Sequence, residues 1–251
     1  MVTLDVVDGT FVGTDSYSLE LSVVGGVLTL AARDGGFRIF GGEETESITL
    51  DVAGGTNYIT TSRAPRDDVD IRGTGAQITM LNVMGEDAMV FIGGSNQARA
   101  TIWDFGEGAN ITLEVEGTVY VLHGYATVDT GGYGDVVHLA GGHNKVLMNP
   151  GSKFVDTGTG DDFVAGLGFG AGGSTQIAGF KKGDVLDLRQ LAGASLADMR
   201  IAENNLLVSL PGPRHSGDKT FIVEGVGNFL AASGGLATDV LRGIILMPVH
   251  N

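Results

Sequence analysis

Residues 118–164 read TVYVLHGYATVDTGGYGDVVHLAGGHNKVLMNPGSKFVDTGTGDDFV, and this stretch decides the fold. A valine stands at every ninth position, in the series Val119, Val128, Val137, Val146, Val155 and Val164. About nine residues accommodate one short strand and one turn, so two such units close a coil of about 18 residues. When coils stack, alternate valines form two inward ladders, and each buried valine stabilises the fold by about 1.5–3 kcal/mol. The period therefore predicts an all-β protein, a right-handed parallel β-solenoid or β-roll.

The regions on either side of this stretch follow different patterns. Residues 1 to about 45 alternate apolar and polar positions between glycine pairs such as Gly25-Gly26, which predicts β-hairpins that form an N-terminal cap. From residue 46 to 173, short apolar runs lead into glycine, asparagine or aspartate and become regular from about residue 110, which predicts the solenoid itself. Residues 174–251 lose the period, so we expect a β-rich C-terminal cap with a short helix near residues 191–199.

The chain carries a formal net charge of -15, from 30 acidic and 15 basic residues. This charge disfavours nucleic acids and anionic membranes as partners, because both bind basic surfaces. It favours cations, or alternatively it keeps an edge-rich β-protein soluble. The chain has no cysteine, which excludes disulfides and thiolate metal sites. Its first residues have neither a basic region nor a long apolar run, and no apolar run of about 18 residues occurs elsewhere, so we expect neither a signal peptide nor a membrane span.

Two segments carry a resemblance to a known family. Residues 157–164, TGTGDDFV, match the nonapeptide G-G-x-G-x-D-x-U-x except at its first glycine. The stretch therefore resembles the repeats-in-toxin (RTX-like) β-rolls, which bind calcium between successive loops. Residues 177–188 look like the segment that follows such rolls in substrates of type I secretion. The resemblance implies a degenerate roll, exported by the type I secretion apparatus, with Val164 buried and Asp162 at the ligand position.

The resemblance also locates candidate metal ligands. Its aspartate position lies two residues before each ladder valine, where this chain has Gly117, Ala126, Asp135, Asn144, Lys153 and Asp162. Loops one coil apart share a side of a roll, so Asp135 would face Lys153, whose ammonium would replace calcium in a partly exposed ion pair. On the other side, one calcium ion would bind oxygen atoms of Asp162, Asn144, Gly160, Gly142 and Asp161. A turn without metal is the alternative at this second position.

No catalytic residue is assigned from the sequence. The chain lacks the H-E-x-x-H and G-x-S-x-G motifs. His138 follows a ladder valine and should point outward, and it falls at a different phase of the repeat from His123 and His143. Dense carboxylates at Asp67-Asp68-Asp70 and Asp161-Asp162 would suit lyase or epimerase chemistry if they faced one cleft, and solvated turns are the alternative. Whether the chain is an enzyme stays open, with a non-enzymatic role favoured.

Three functional hypotheses follow. The first is a non-enzymatic structural or adhesive protein that is secreted, acts at the cell surface or in the extracellular matrix, and could self-assemble. The second is a β-helix that binds or modifies cell-surface polysaccharide. The few aromatic residues could form a sugar platform for it, although Trp103 could equally belong to the core. The third is a spike or fibre of a virus-like particle. For a homo-oligomer, the apolar tail at residues 243–249 is the candidate surface, unless it closes the chain's own core.

Overall fold

The structure, a computed structural model, describes residues 2–6, 9–13, 19–23, 27–32, 37–40, 47–52, 55–61, 63, 65–73, 77–167, 173–191, 199–210, 219–233 and 245–246. These residues form 24 β-strands and one short α-helix. The chain divides into two compact units, residues 1–126 and 127–251. The prediction of an all-β, parallel solenoid is confirmed in both units.

The first unit consists of two parallel sheets between which the chain alternates. Its strands are β1 Val2–Val6, β2 Gly9–Gly13, β3 Leu19–Val23, β4 Val27–Ala32, β5 Phe37–Phe40, β6 Ser47–Val52, β7 Gly55–Thr60, β8 Asp68–Gly73, β9 Gln77–Val83, β10 Met89–Gly94, β11 Arg99–Asp104, β12 Asn110–Leu113 and β13 Glu116–Val121. Odd-numbered strands form one sheet and even-numbered strands the other, each strand pairing with the next of its own parity.

Inward ladders of aliphatic side chains form the core of the first unit. In the odd-numbered sheet, residues in register from β5 to β13 are all buried: Ile39, Ile59, Leu81, Ile102 and Val119. The even-numbered sheet has an equivalent ladder of Ile48, Val69, Val90 and Ile111. Because side chains alternate along a strand, the neighbours of each ladder residue point away from the core.

The prediction of β-hairpins for residues 1 to about 45 was wrong. Strand β1 pairs with β3, and β2 pairs with β4, in parallel register. A hairpin would have paired each strand with the next one in antiparallel register. Alternating polarity predicts a half-buried strand correctly, but it is the same for a hairpin and for a coil, so it does not identify the partner strand.

The second unit also consists of two sheets between which the chain alternates, and it ends with antiparallel strands. Its elements are β14 Thr127–Thr130, β15 Asp135–Leu139, β16 Lys145–Met148, β17 Lys153–Asp156, β18 Phe163–Gly166, β19 Gly173–Ala178, β20 Val185–Asp187, β21 Met199–Ala202, β22 Asn205–Leu210, β23 Lys219–Val223, α1 Val226–Ser233 and β24 Ile245–Leu246. One sheet has the order β15-β17-β19-β23-β22-β21, and the other has the order β14-β16-β18-β20-β24.

The valine ladders predicted from the nine-residue period are present in this unit. Val128, Val146 and Val164 are in register on β14, β16 and β18, and all three are fully buried. Val137 is in register with Val155 on the opposite sheet, and both are fully buried. Residues 18 positions apart therefore occupy equivalent places in successive coils, as the sequence predicts.

The C-terminal end changes from parallel to antiparallel pairing. Strand β22 is antiparallel to both β21 and β23. Ile245 is buried and in register with Leu186 of β20, so this part of the apolar tail packs within its own chain. The helix predicted near residues 191–199 falls largely outside the described residues, whereas α1 at residues 226–233 was not predicted. No helix in the described ranges is long and apolar enough to span a membrane.

Candidate functional site

A ladder of carboxylate and amide side chains runs along one corner of the second unit. Asn144, Asp162 and Asp184 directly precede β16, β18 and β20, and all three are buried. Asp162 Oδ1 accepts hydrogen bonds of 2.9 Å from the backbone N–H and from Nδ2 of Asn144. Asp184 Oδ1 accepts a 2.9 Å bond from the backbone N–H of Asp162. Each carboxylate therefore satisfies a buried backbone donor of the preceding coil.

The ammonium group of Lys181 lies beside this corner ladder. Its Nζ is 3.0 Å from Asp184 Oδ1, 3.3 Å from Asp184 Oδ2 and 4.0 Å from Asp162 Oδ2. Asp184 Oδ2 also accepts a hydrogen bond from Thr157 Oγ1. Burial raises the pKa of Asp162, and repulsion from Asp184 adds to this, while hydrogen bonds from Asn144 and the charge of Lys181 oppose it. The lysine thus supplies positive charge to two stacked carboxylates.

The structure brings most of the proposed metal ligands close together. Asn144 and Asp162 are hydrogen-bonded, and the turns that contain Gly142 and Gly160 stack. A Cβ on Gly160 would lie 1.6 Å from the carbonyl oxygen of Gly142, so only glycine fits there. Asp161 is exposed, and its carboxylate lies against Gly183.

Asp162 Oδ1, one of the candidate calcium ligands, already accepts two hydrogen bonds from Asn144. Calcium requires about six to eight oxygen ligands. Asp162 Oδ2 is the one buried carboxylate oxygen of the corner ladder with no hydrogen-bond partner in the described part of the chain. In the same part, no three His, Asp or Glu residues converge on a possible metal position. Calcium binding stays a prediction, and Lys181 lies where it balances the charge without metal.

A second lysine, Lys153, lies on the inward face of β17 in the other sheet of this unit. Lys153 Nζ is 2.7 Å from Asp135 Oδ2 and also donates a hydrogen bond to the carbonyl oxygen of Gly132. The expected pairing of Asp135 with Lys153 is present, because the two residues are in register. The expected partial exposure was wrong, since the two side chains are only 0% and 1% exposed. Lys153 and Val155 lie on the same inward face of β17, so the lysine side chain is directed into the interior.

The other candidate residues do not converge. Along β8 and the residue before it, Asp67 is buried, Asp68 is exposed, and Asp70 forms a 3.0 Å ion pair with Arg72. His138 points outward as expected, with its Nδ1 3.6 Å from Asp156 Oδ2. The remaining two candidates, His123 and His143, are exposed.

A set of aromatic side chains covers part of the outward surface of the first unit. This aromatic face consists of Phe40, Tyr58, Trp103, Phe105 and Tyr120, all from the odd-numbered strands or the residue that follows one. Phe40 and Tyr58 are each 44% exposed. The rings of Trp103 and Tyr120 stack, with centroids 6.0 Å apart and planes 8° apart. The alternation of Ile102, buried, with Trp103, half-buried, explains why this tryptophan is at the surface.

A groove with a volume of about 510 Å³ lies within the aromatic face. Phe40, Thr60, Asn82 and Trp103 occupy equivalent positions on the four neighbouring strands β5, β7, β9 and β11. Aromatic rings therefore stand at both ends of the groove, with two small polar residues between them. The groove is also lined by Arg38, Tyr58, Met80 and Phe105.

The sequence pattern missed several residues of these sites. Asp184 lies two residues before the buried Leu186, just as Asp162 lies two residues before Val164, and this spacing would have identified it. Lys181 has no such signal, because it reaches Asp184 from a turn.

No protein-family profile, curated protein or solved structure matches the chain. The resemblance to repeats-in-toxin rolls is thus supported at the level of a parallel β-solenoid only.

Proposed function

We propose that this protein is a non-enzymatic adhesive β-solenoid that acts at the cell surface or in the extracellular matrix. The observation that carries the proposal is the aromatic face of the first unit. The described inward ladders of the two sheets form a core to which Phe40 and Tyr58, each 44% exposed, do not belong. Exposed apolar patches on a folded protein mark surfaces that bind other molecules.

The regular scaffold supports an adhesive role. Each coil of a solenoid contacts its neighbours through a continuous hydrogen-bonded ladder, which holds outward side chains at fixed spacings. Four of the five residues of the aromatic face lie on such strands and have a defined register. A rigid platform loses little conformational entropy when a partner binds. Binding without chemistry also agrees with the scattered positions of the candidate carboxylates and histidines in the described residues.

Adhesion of the full chain to cells of its source, or to their isolated envelope, tests the proposal. The double variant Phe40→Ala/Tyr58→Ala should reduce the bound fraction by about tenfold or more, since aromatic anchors dominate interface energies. Tyr133→Ala is the matched control, because Tyr133 is an exposed tyrosine of the second unit, 58% exposed. Equal adhesion of the double variant and the wild type would contradict the proposal.

We further propose export by the type I secretion apparatus through the C-terminal region. The supporting observation is the resemblance of residues 177–188 to the segment that follows secreted rolls. The full chain should be found in the medium or at the cell surface, and deletion of residues 174–251 should retain it inside the cell. Retention of the full chain inside the cell would contradict both the export and the extracellular role.

A further inference from the structure

We propose that the groove of the aromatic face binds a segment of a neutral oligosaccharide. This inference rests on the adhesive function proposed above and names the ligand class of the same surface. It follows from three properties of the groove, which are the aromatic rings at its ends, the polar residues on its floor and the charge around it.

The aromatic ends of the groove are separated by a fixed distance. Three strand spacings lie between Phe40 on β5 and Trp103 on β11, which is about 14 Å at about 4.8 Å per spacing. One face of Trp103 stacks on Tyr120, so its opposite face is directed towards Asn82 and the groove. A pyranose ring has an apolar face of C–H groups, and an aromatic ring offers a rigid apolar surface on which that face packs.

The floor of the groove provides hydrogen-bonding groups between these rings. Asn82 Nδ2 donates a 3.2 Å hydrogen bond to Thr60 Oγ1. Among the described residues, this bond uses one amide hydrogen and leaves the amide carbonyl, the second amide hydrogen and the threonine hydroxyl hydrogen for a ligand. Sugar hydroxyls both donate and accept, so a floor with both kinds of group matches them. A purely apolar partner would leave these groups without partners, which is unfavourable.

The net negative charge of the chain favours a neutral sugar over a polyanionic one. Arg38 is the one charged side chain among the described residues that line it, and its guanidinium lies 5.5 Å from the ring centroid of Tyr58. Two exposed glutamates, Glu86 and Glu107, lie in the turns that follow β9 and β11. The chain as a whole carries a net charge of -15. A polyanionic glycan would be repelled by this field.

The volume of the groove favours a small flexible ligand over a second copy of the chain. A volume of about 510 Å³ falls within the range of about 300–1,000 Å³ that is usual for small-molecule sites. Aromatic walls with a few polar groups between them are the usual composition of such sites. A short segment of a glycan chain fills such a groove and continues beyond it at either end.

Trp103 is the only tryptophan in the chain, so its fluorescence reports directly on the groove. The full-length protein would be titrated with neutral hexasaccharides of glucose, mannose, galactose or N-acetylglucosamine, and with polygalacturonate as the acidic comparison. At least one neutral hexasaccharide should change the emission saturably. Tyr58→Ala and Asn82→Ala should each weaken that binding by about tenfold or more, while Tyr133→Ala leaves it unchanged.

Several outcomes would overturn the inference. One is that no neutral hexasaccharide changes the emission of Trp103, and another is that polygalacturonate binds more tightly than all of them. A third is that the wild type sediments as a dimer that Tyr58→Ala dissociates, in which case the groove is occupied by a second copy.

The adhesion assay separates this inference from the proposed function. If Phe40→Ala/Tyr58→Ala loses adhesion but no neutral saccharide binds, the adhesive function stands and the glycan inference fails. If a neutral saccharide binds in the groove but the double variant adheres normally, the proposed adhesive role of this face fails instead.

Discussion

Lys219 is a buried lysine on the inward face of a strand of the second unit. It shares the inward face of β23 with Phe221 and Val223, and its side chain lies 5.2 Å from the ring centroid of Phe221. Only 1% of the residue is exposed, and Nζ has no hydrogen-bond partner in the described part of the chain. Burial, together with the nearby charge of Lys153, lowers the pKa of Lys219 from 10.5 to about 8. The folded state therefore holds this charge at a disadvantage near neutral pH.

Replacing Lys219 should stabilise the protein. Lys219→Met should raise the free energy of unfolding by about 2 kcal/mol at pH 7, because it removes a buried charge that has no hydrogen-bond partner among the described residues, while the volume is retained. In the wild type, the unfolded chain binds more protons than the folded chain between pH 8 and 10.5, so stability should rise with pH across that window. The variant should lack this rise. Urea unfolding at several pH values measures both effects.

The control for this experiment is Lys182→Met, which changes an exposed lysine of the same unit. It should shift the unfolding free energy by less than about 0.5 kcal/mol. A loss of stability of about 1 kcal/mol or more in Lys219→Met would show that the ammonium contributes favourably.

Gly160 tests whether the corner turns depend on close backbone contact. A Cβ at Gly160 would overlap the carbonyl oxygen of Gly142, whereas a Cβ at Gly141 would meet only Thr159 Oγ1, at 3.3 Å. Gly160→Ala should therefore lower the free energy of unfolding by about 1–3 kcal/mol in urea, and Gly141→Ala should have a much smaller effect. Similar losses for the two variants would mean that the turn relaxes easily and that close stacking is not required.

At the scale of paired strands, Lys153 and Asp135 act as one unit. Lys153→Met leaves the Asp135 carboxylate buried without its cation, and Asp135→Asn leaves the ammonium without its anion. Each single change should lower the free energy of unfolding by about 3–5 kcal/mol. The double variant should lose much less unfolding free energy than the sum of the two single losses, because it leaves no unpaired buried charge. Urea unfolding of all four proteins gives the coupling energy.

The chain contains a matched exposed pair for comparison. Arg99 Nη1 is 2.9 Å from Glu116 Oε2 on the neighbouring strand, with side chains 50% and 42% exposed. Solvent screening should reduce its coupling energy to about 0–1 kcal/mol. Equal coupling in the exposed and buried pairs would contradict the role assigned to burial of Lys153.

The sequence predicted where strands form more easily than it predicted which strands pair or which side chains are buried at the corners. The valine period specifies which side chains of β14–β18 face inward, because alternation along a strand depends on local sequence alone. The parallel pairing of β1 with β3 depends on how many residues the intervening coil contains, which polarity does not encode. The burial of Lys153 could not be predicted either, since a lysine at an inward position also suits an exposed corner.

At the scale of the whole molecule, the aromatic groove illustrates what a single sequence hides. Its residues come from four strands that are separated by coils of unequal length, so no fixed spacing connects Phe40 with Trp103. The sequence identified Trp103 as a candidate but left its exposure open. Only the register between strands shows that Thr60 and Asn82 form a polar floor between two aromatic ends.

Calcium dependence is a property of the whole molecule, and we expect it to be small. Thermal unfolding in EDTA and in millimolar CaCl₂ should give melting temperatures within about 3 °C, which corresponds to about 1 kcal/mol for a chain of this size. Lys153 and Lys181 already supply positive charge beside the buried carboxylates of Asp135 and Asp184.

Two variants of Asp162 separate its structural role from a metal role. Asp162→Asn keeps an acceptor for the Asn144 donors and should be nearly as stable as the wild type, whereas Asp162→Ala leaves those donors unsatisfied and should lose about 1–3 kcal/mol. A large calcium-induced rise in melting temperature that disappears in Asp162→Asn would establish a calcium site instead.

The ammonium groups of Lys153 and Lys181 are covalently attached to the chain, which distinguishes them from a bound metal ion. A tethered group acts at an effective concentration that is set by the length of its tether, whereas a free ion follows the concentration in solution. Dilution or dialysis removes a free ion but leaves Lys153 beside Asp135 and Lys181 beside Asp184. We therefore expect the second unit to reach its folded form without an external chemical trigger, in any compartment through which the chain passes.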